Sequence, residues 1–241
     1  MFAGIAKRYD LLNHTLSGGV DALWRRKTVR TGLEGWANVN NPPRVLDVCS
    51  GTGDLAFAFA GKGCSVVGAD FCPEMLYLGE RKRRKSAVGG RVRLVGADAL
   101  RLPFPSHEFD LASVAFGIRN VADPVAGLTE LVRVVRPGGR ILILEFSRPK
   151  APVVGPLYLW YFRRILPRIG RLLSGVRSEE HAYNYLPDSV MKFPDREDFV
   201  RLMQRAGLEE CRYELLSLGI AALYVGRVAR PRSSVRAEPS R

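Results

Sequence analysis

Between Arg44 and Ser147 the chain alternates short apolar runs of strand length with stretches of helix length, and this alternation restricts its architecture more than any other feature. The strand-like runs fall at 44–48, 65–69, 92–95, 109–116 and 140–146, and the helical stretches near 54–62, 73–85 and 124–135. Apolar strands separated by helices favour a parallel sheet covered on both faces, because a helical crossover returns the chain in the same direction. Arg136-Pro137-Gly138-Gly139 reads as a helix stop followed by a turn into the strand from Arg140. Further on, 195–206 reads as a helix ended by Gly207, and 211–217 and 221–228 as two closing strands. The predicted fold is α/β, with seven strands, mostly parallel, and helices on both faces.

A length of 241 residues suits one domain. The predicted division is a single domain over 1–228, with an N-terminal helical lid (1–36), a ligand-binding core (43–150), a cap and substrate segment (151–194) and a closing helix with strands (195–228). Residues 229–241 are rich in Pro, Ser and Arg and read as a disordered basic tail. A hydrophobic content of 46% with 25% charged residues is that of a soluble globular protein. No apolar run reaches the ~20 residues that cross a bilayer. The first residues lack a signal-peptide pattern, so the expected location is cytoplasmic. Cys49, Cys64, Cys72 and Cys211 have no paired spacing of a metal site and read as reduced thiols. The net charge of +13 is spread along the chain, which favours attraction to an anionic surface, or simple solubility, over a dedicated nucleic-acid stripe; no nucleic-acid partner is expected.

The sharpest local signal is Val45-Leu46-Asp47-Val48-Cys49-Ser50-Gly51-Thr52-Gly53-Asp54, a buried strand running into a glycine turn and then a helix. Gly51 and Gly53 allow a ligand to approach the backbone closely, and Ser50 and Thr52 flank them. Asp70, with Phe71 beside it, closes the second strand, where a carboxylate can accept hydrogen bonds from both ribose hydroxyls. A dinucleotide site would require G-x-G-x-x-G and a helix start open to pyrophosphate. Here Asp54 follows Gly53 at once, a carboxylate that repels pyrophosphate and tolerates a cationic or zwitterionic ligand such as S-adenosylmethionine. A tight turn without a ligand is the competing reading of this loop. Asp98 and Ala99, after the third strand, supply a carboxylate and a backbone N–H at the same sheet edge, suited to an adenine ring.

These residues and their flanks resemble the class I methyltransferases, Rossmann-like in fold with a helical cap, and specifically the quinone-biosynthesis C-methyltransferases. Two signatures carry the resemblance: Tyr9-Asp10-Leu11-Leu12-Asn13-His14-Thr15-Leu16-Ser17 with Trp24 beyond it, and Arg133-Val134-Val135-Arg136-Pro137-Gly138-Gly139-Arg140-Ile141-Leu142-Ile143-Leu144-Glu145-Phe146-Ser147. Leu102-Pro103-Phe104 and Phe116-Gly117-Ile118-Arg119-Asn120-Val121 are similar to the family as well. The likeness runs from Met1 to about Val228. Asp21 stands where the family often has His, Cys72 where Ser is common, and Ala115 where a Ser often precedes the Phe-Gly pair.

The resemblance implies S-adenosylmethionine as cofactor, held by Asp47, Ser50, Gly51, Thr52, Gly53, Asp70, Phe71, Asp98, Ala99 and Ala115, the last through its backbone carbonyl. It implies C-methylation of a prenylated quinol: demethylmenaquinol in the first place, a methoxy-polyprenyl benzoquinol as the alternative. Arg119 is assigned phenolate stabilisation, directly or through a water, and Asn120 the orientation of a ring oxygen. Tyr9, Asp10 and Asn13 would form a lid, one of them relaying a proton; His14 is the weaker candidate for that task. Residues 153–173 mix large apolar side chains with Arg163, Arg164, Arg168 and Arg171, the composition of an interfacial helix or of an ordinary cap helix. With Arg81-Lys82-Arg83-Arg84-Lys85 they suggest peripheral contact with an anionic membrane surface. A homodimer built with 151–180 is compatible with the sequence and not required by it. The rival readings are an RNA methyltransferase, a non-catalytic protein of the same fold, and a methyltransferase for another phenol or a sterol.

Overall fold

The computed structural model describes residues 19–36, 41–149, 152 and 189–230. The lid residues 1–18, with Tyr9, Asp10, Asn13 and His14, most of the cap at 153–188, and the tail at 231–241 lie outside the described residues. The elements, in chain order, are α1 (Asp21–Leu33), β1 (Arg44–Val48), α2 (Asp54–Ala60), β2 (Ser65–Asp70), α3 (Pro73–Lys85), β3 (Val92–Gly96), β4 (Phe109–Ala115), α4 (Pro124–Val134), β5 (Val135–Phe146), α5 (Glu197–Arg205), β6 (Leu208–Leu216) and β7 (Ala221–Val228).

The strands form a seven-stranded sheet of order β3-β2-β1-β4-β5-β7-β6. β1 to β5 pair in parallel, and β7 pairs antiparallel with both β5 and β6. The order reverses between β1 and β4, so the loops that follow these neighbouring strands diverge and leave a crevice at their carboxyl ends. Strand-length apolar runs make this sheet because they are buried on both faces: Val45, Leu46, Ala112, Ile141, Leu142, Ile143 and Leu144 have no exposed surface. One face is packed with Trp24, Val29, Leu55 and Phe59 from α1 and α2. The other is packed with Leu128 and Leu131 of α4 and Phe199 and Met203 of α5. Each of these large side chains contributes roughly 1.5–3 kcal/mol by leaving water.

Two local features depart from the sequence reading or sharpen it. The turn predicted at Arg136–Gly139 is a bulge inside β5. Phe109 pairs with Val135, but Leu111 pairs with Arg140, so the four Arg-Pro-Gly-Gly residues stand opposite the single residue Asp110. Gly138, at φ +78°, takes the left-handed conformation that the bulge requires. The second feature is α4, which starts as a well-capped helix: Asp123 Oδ1 accepts from the Val125 and Ala126 amides at 2.9 and 3.0 Å, and Pro124 occupies the first turn.

Residues 19–36, read from sequence as part of a lid, are built into the fold. Trp24 is 4% exposed. Its indole lies 6.0 Å from Phe116 and 6.2 Å from Phe146, and its Nε1 donates to Ser217 Oγ at 2.9 Å. Trp24→Ala should therefore lower stability by about 3–5 kcal/mol. A urea titration checks this; an unchanged midpoint would show that α1 is peripheral.

Candidate functional site

The crevice at the β1/β4 switch point is a cavity of about 340 Å³. Loops after four strands converge on it. β1 and its turn bring Asp47, Ser50, Gly51 and Thr52; β2 brings Asp70 and Phe71; β3 brings Asp98 and Ala99; β4 brings Ala115 and Asn120. Every cofactor-binding residue read from the sequence thus lines this space except Gly53, which shapes the turn behind it. Gly53 adopts φ +90° and starts α2, and its amide donates to Ser50 O at 2.9 Å.

Asp47 is fully enclosed at the floor. Its Oδ1 accepts from Ser113 Oγ at 2.8 Å, because Asp47 and Ser113 are in register across β1 and β4. Its Oδ2 is buried without a hydrogen-bond partner, and so is Ser50 Oγ. Two orphaned polar atoms beside a cavity mark positions that a polar ligand satisfies. Burial pushes the Asp47 carboxyl up to about 7, against the Ser113 hydrogen bond and the Arg25 charge, which act to lower it. Both features suit a cationic ligand group. An ammonium next to Oδ2 would supply the missing donor and favour the ionised acid.

Asp70 is committed to the turn on one side. Oδ2 accepts from the Gly51 amide at 2.7 Å and Oδ1 from the Cys72 amide at 2.8 Å. Each carboxylate oxygen has a second lone pair, so both remain capable of accepting from a ribose diol. Burial raises the Asp70 carboxyl, and these backbone amides oppose the rise. Asp98 Oδ1 accepts from the Leu100 amide at 2.9 Å, which tightens the loop after β3. Phe71 lies at the mouth with 80% of its surface exposed, an apolar face open to a planar ring.

Asn120 lines the cavity, and Arg119 does not. Arg119 is locked behind the wall: Nη1 donates to Glu145 Oε2 and to Phe116 O, each at 2.7 Å, and the guanidinium lies 5.5 Å from the Phe146 ring. This buried ion pair ties the loop after β4 to the tip of β5. Burial raises the Glu145 carboxyl, and the Arg119 charge opposes it. Gly117 is needed in that loop, because a Cβ there would stand 2.3 Å from the Cys49 Cβ.

Sequence reasoning missed Arg25, Cys49, Cys72 and Met75 in the lining. It also missed what Asp21 and Asp54 do. Asp21, buried, pairs with Arg25 one helical turn away, and Asp54 Oδ1 accepts from Lys82 at 2.7 Å. The i, i+4 spacing of Asp21 and Arg25 was the available signal. Lys82 also donates to Thr52 Oγ1 at 2.8 Å, which pins the glycine turn to α3.

Asp47 offers a test with opposite signs. Its folded carboxyl titrates near 7, above the ordinary value of 3.8, so the ligand-free protein holds that proton more tightly than the unfolded chain. Its contribution to stability is full below the ordinary value and is lost as pH rises through about 7. Asp47→Asn should melt above the unaltered protein at pH 8 in a calorimetric scan. The same variant should bind S-adenosylmethionine about tenfold or more weakly. A variant both less heat-stable and unimpaired in binding would contradict both halves.

Known proteins resemble this chain in sequence and in fold. A Thermus thermophilus protein named demethylmenaquinone methyltransferase is 48% identical, covering 94% of this chain and 99% of its own. A protein of Geobacter sp. strain M21 named ubiquinone/menaquinone biosynthesis C-methyltransferase is 47% identical, covering 94% of each. Among solved structures, a methyltransferase in complex with the Trm112 activator of Haloferax volcanii aligns with a TM-score of 0.65 at 16% identity, over 95% of this chain and 98% of that one. An S-adenosylmethionine-dependent methyltransferase of Thermotoga maritima aligns with a TM-score of 0.63 at 18% identity, over 94% and 97%. The two structures speak for the fold alone. The family model of the ubiE/COQ5 methyltransferases matches residues 1–228, and the chain belongs to that family.

Proposed function

We propose that the protein uses S-adenosylmethionine to methylate a ring carbon of a prenylated quinol, with demethylmenaquinol as the substrate. The observation that carries this reading is the cavity itself. It joins an unsatisfied Asp47 Oδ2 and Ser50 Oγ, the Asp70 and Asp98 loops and Asn120 in one crevice of a chain from a C-methyltransferase family. The cofactor brings a sulfonium-bound methyl group that is electrophilic without further activation.

The chain's task is then alignment and charge control. Asp47 and Ser50 receive the polar end of the cofactor, Asp70 its ribose, Asp98 and Ala99 its adenine, and Phe71 covers the ring. On the other side Asn120 holds a ring oxygen of the quinol. As the phenol loses its proton, negative charge grows on that oxygen and raises the nucleophilicity of the adjacent carbon. A side-chain amide already in place stabilises this charge without reorganisation. Arg119 acts one layer behind: pinned by Glu145, it fixes the loop that presents Asn120 and adds a positive field. One of Tyr9, Asp10 and Asn13 relays the proton. The oxidised quinone has no acidic phenol to lose, so only the quinol is a substrate.

A prenylated substrate resides in a lipid bilayer, so the protein works at an anionic membrane surface as a peripheral contact. The basic end of α3 supports this in part. Arg81, Arg84 and Lys85 stand there, while Arg83 and Arg84 also bond Glu80 at 2.6 and 3.1 Å, which lowers the local excess charge. No helix among the described residues is long and apolar enough to cross a membrane.

With labelled S-adenosylmethionine, chemically reduced demethylmenaquinol should accept label, while its oxidised form and bulk RNA should not. Label on a demethylated ubiquinol precursor alone would move the assignment to the benzoquinol ring. Asn120→Ala should lower kcat by about 10²-fold with cofactor affinity unchanged. In a flotation experiment the protein should rise with vesicles rich in anionic lipid and stay below with neutral ones.

A further inference from the structure

Among the described residues, the lining of the cavity carries four carboxylates, Asp47, Asp54, Asp70 and Asp98, and one cation, Arg25. S-adenosylmethionine has a carboxylate as well as an ammonium and a sulfonium. Four acids suit its positive groups and its hydroxyls, and they repel its carboxylate. That group needs a cation that reaches the same crevice.

Arg25 has the required placement. It lies one residue after Trp24, whose indole is fixed against Phe116, Phe146 and Ser217, so α1 enters the site as a rigid element. Asp21, one turn earlier and itself buried, accepts from Nη1 and sets the guanidinium plane. Nη2 has no hydrogen bond among the described residues; it stands 3.6 Å from Asp54 Oδ2, an ion-pair distance beyond hydrogen-bond reach. The side chain is only 11% exposed, so a donor left in that state lacks the full hydration that would make it indifferent to a ligand. Asp54 is already occupied by Lys82 at 2.7 Å, which leaves Arg25 less tightly claimed. The Arg25 charge is also close enough to Asp47 to favour its ionised form. Asp47 for an ammonium and Arg25 for a carboxylate are the two halves of an α-amino-acid receptor.

We propose that Arg25 binds the carboxylate of the methionine end of S-adenosylmethionine, with Asp21 as the residue that positions it. This rests on the cofactor assignment made above. It gives Asp21, which departs from the commoner His of the family signature, a role: a carboxylate at that position orients the guanidinium and leaves one of its edges for the ligand.

Calorimetric titration with four ligands tests it: S-adenosylmethionine, S-adenosylhomocysteine, the decarboxylated analogue of S-adenosylmethionine, and 5′-methylthioadenosine, which lacks the amino-acid end altogether. Arg25→Gln should weaken the first two by about 10- to 100-fold and leave the last two within about twofold. Arg25→Lys should fall between. Because Arg25→Gln strands a buried Asp21 and can unfold α1, the double variant Asp21→Asn/Arg25→Gln, which buries no unpaired charge, is titrated beside it and should give the same ligand pattern. Equal weakening toward all four ligands would mean that Arg25 only supports the fold, and unchanged affinity for S-adenosylmethionine would remove it from the site; either result overturns the proposal. If the unaltered protein binds none of the four, the cofactor assignment itself fails, a result separable from both.

Discussion

The pairing of β1 with β4 is the constraint on which the remaining structure depends. Asp47 and Ser113 face each other across it, and their hydrogen bond is enclosed on all sides. The same seam is where strand order reverses, so the chain leaves β1 toward α2 and leaves β4 toward the Phe116–Asn120 loop, in opposite directions. A single pairing thus buries an acid, opens the crevice above it and decides which loops border that crevice. The second fastening, Arg119 with Glu145, repeats the device one strand further on. It links the loop after β4 to the tip of β5 with a charge pair that neither partner could lose alone without leaving the other stranded in the interior.

The energetic character of the site follows from how much negative charge it holds back from water. Asp47 at the floor is so poorly hydrated that its proton is nearly balanced at neutral pH, whereas the neighbouring Asp70 is supported by two backbone amides. Asp54 is counterbalanced by Lys82 and Arg25. The acids therefore differ in how available they are: one is waiting for a cation, one is half spent on turn geometry, and one is mainly a strut. Identical residue types acquire different tasks from their surroundings.

Much of this was legible in the sequence, because the signals were local. The glycine turn, the acids at the ends of successive strands and the continuous apolar runs each depend on a few neighbouring residues, and the structure places Asp47, Asp70, Asp98 and Asn120 together in one cavity. What could not be read depended on partners far away. Arg119 and Glu145 are 26 positions apart, and only the adjacency of β4 and β5 brings them together as a buried ion pair. Arg136–Gly139 carries strong turn chemistry, and tertiary pairing with Phe109 converts it into a strand irregularity instead. Asp21 and Arg25 sat in a segment read as a lid. Their importance emerged only once Trp24 was seen inside the core.

The bond from Trp24 Nε1 to Ser217 Oγ spans 193 positions. Synthesis proceeds from the amino end, so α1 emerges first and finds its partner nearly last. Contacts of such long sequence separation form late and slowly. The other neighbours of α1 come earlier: Trp24 lies against Phe116 and Phe146, and Gly32 against Leu111, Leu142 and Phe59, all synthesised before β7. The bond to Ser217 is therefore a late latch on a helix whose packing partners are already made, and it ties the amino-terminal element to the turn before the last strand.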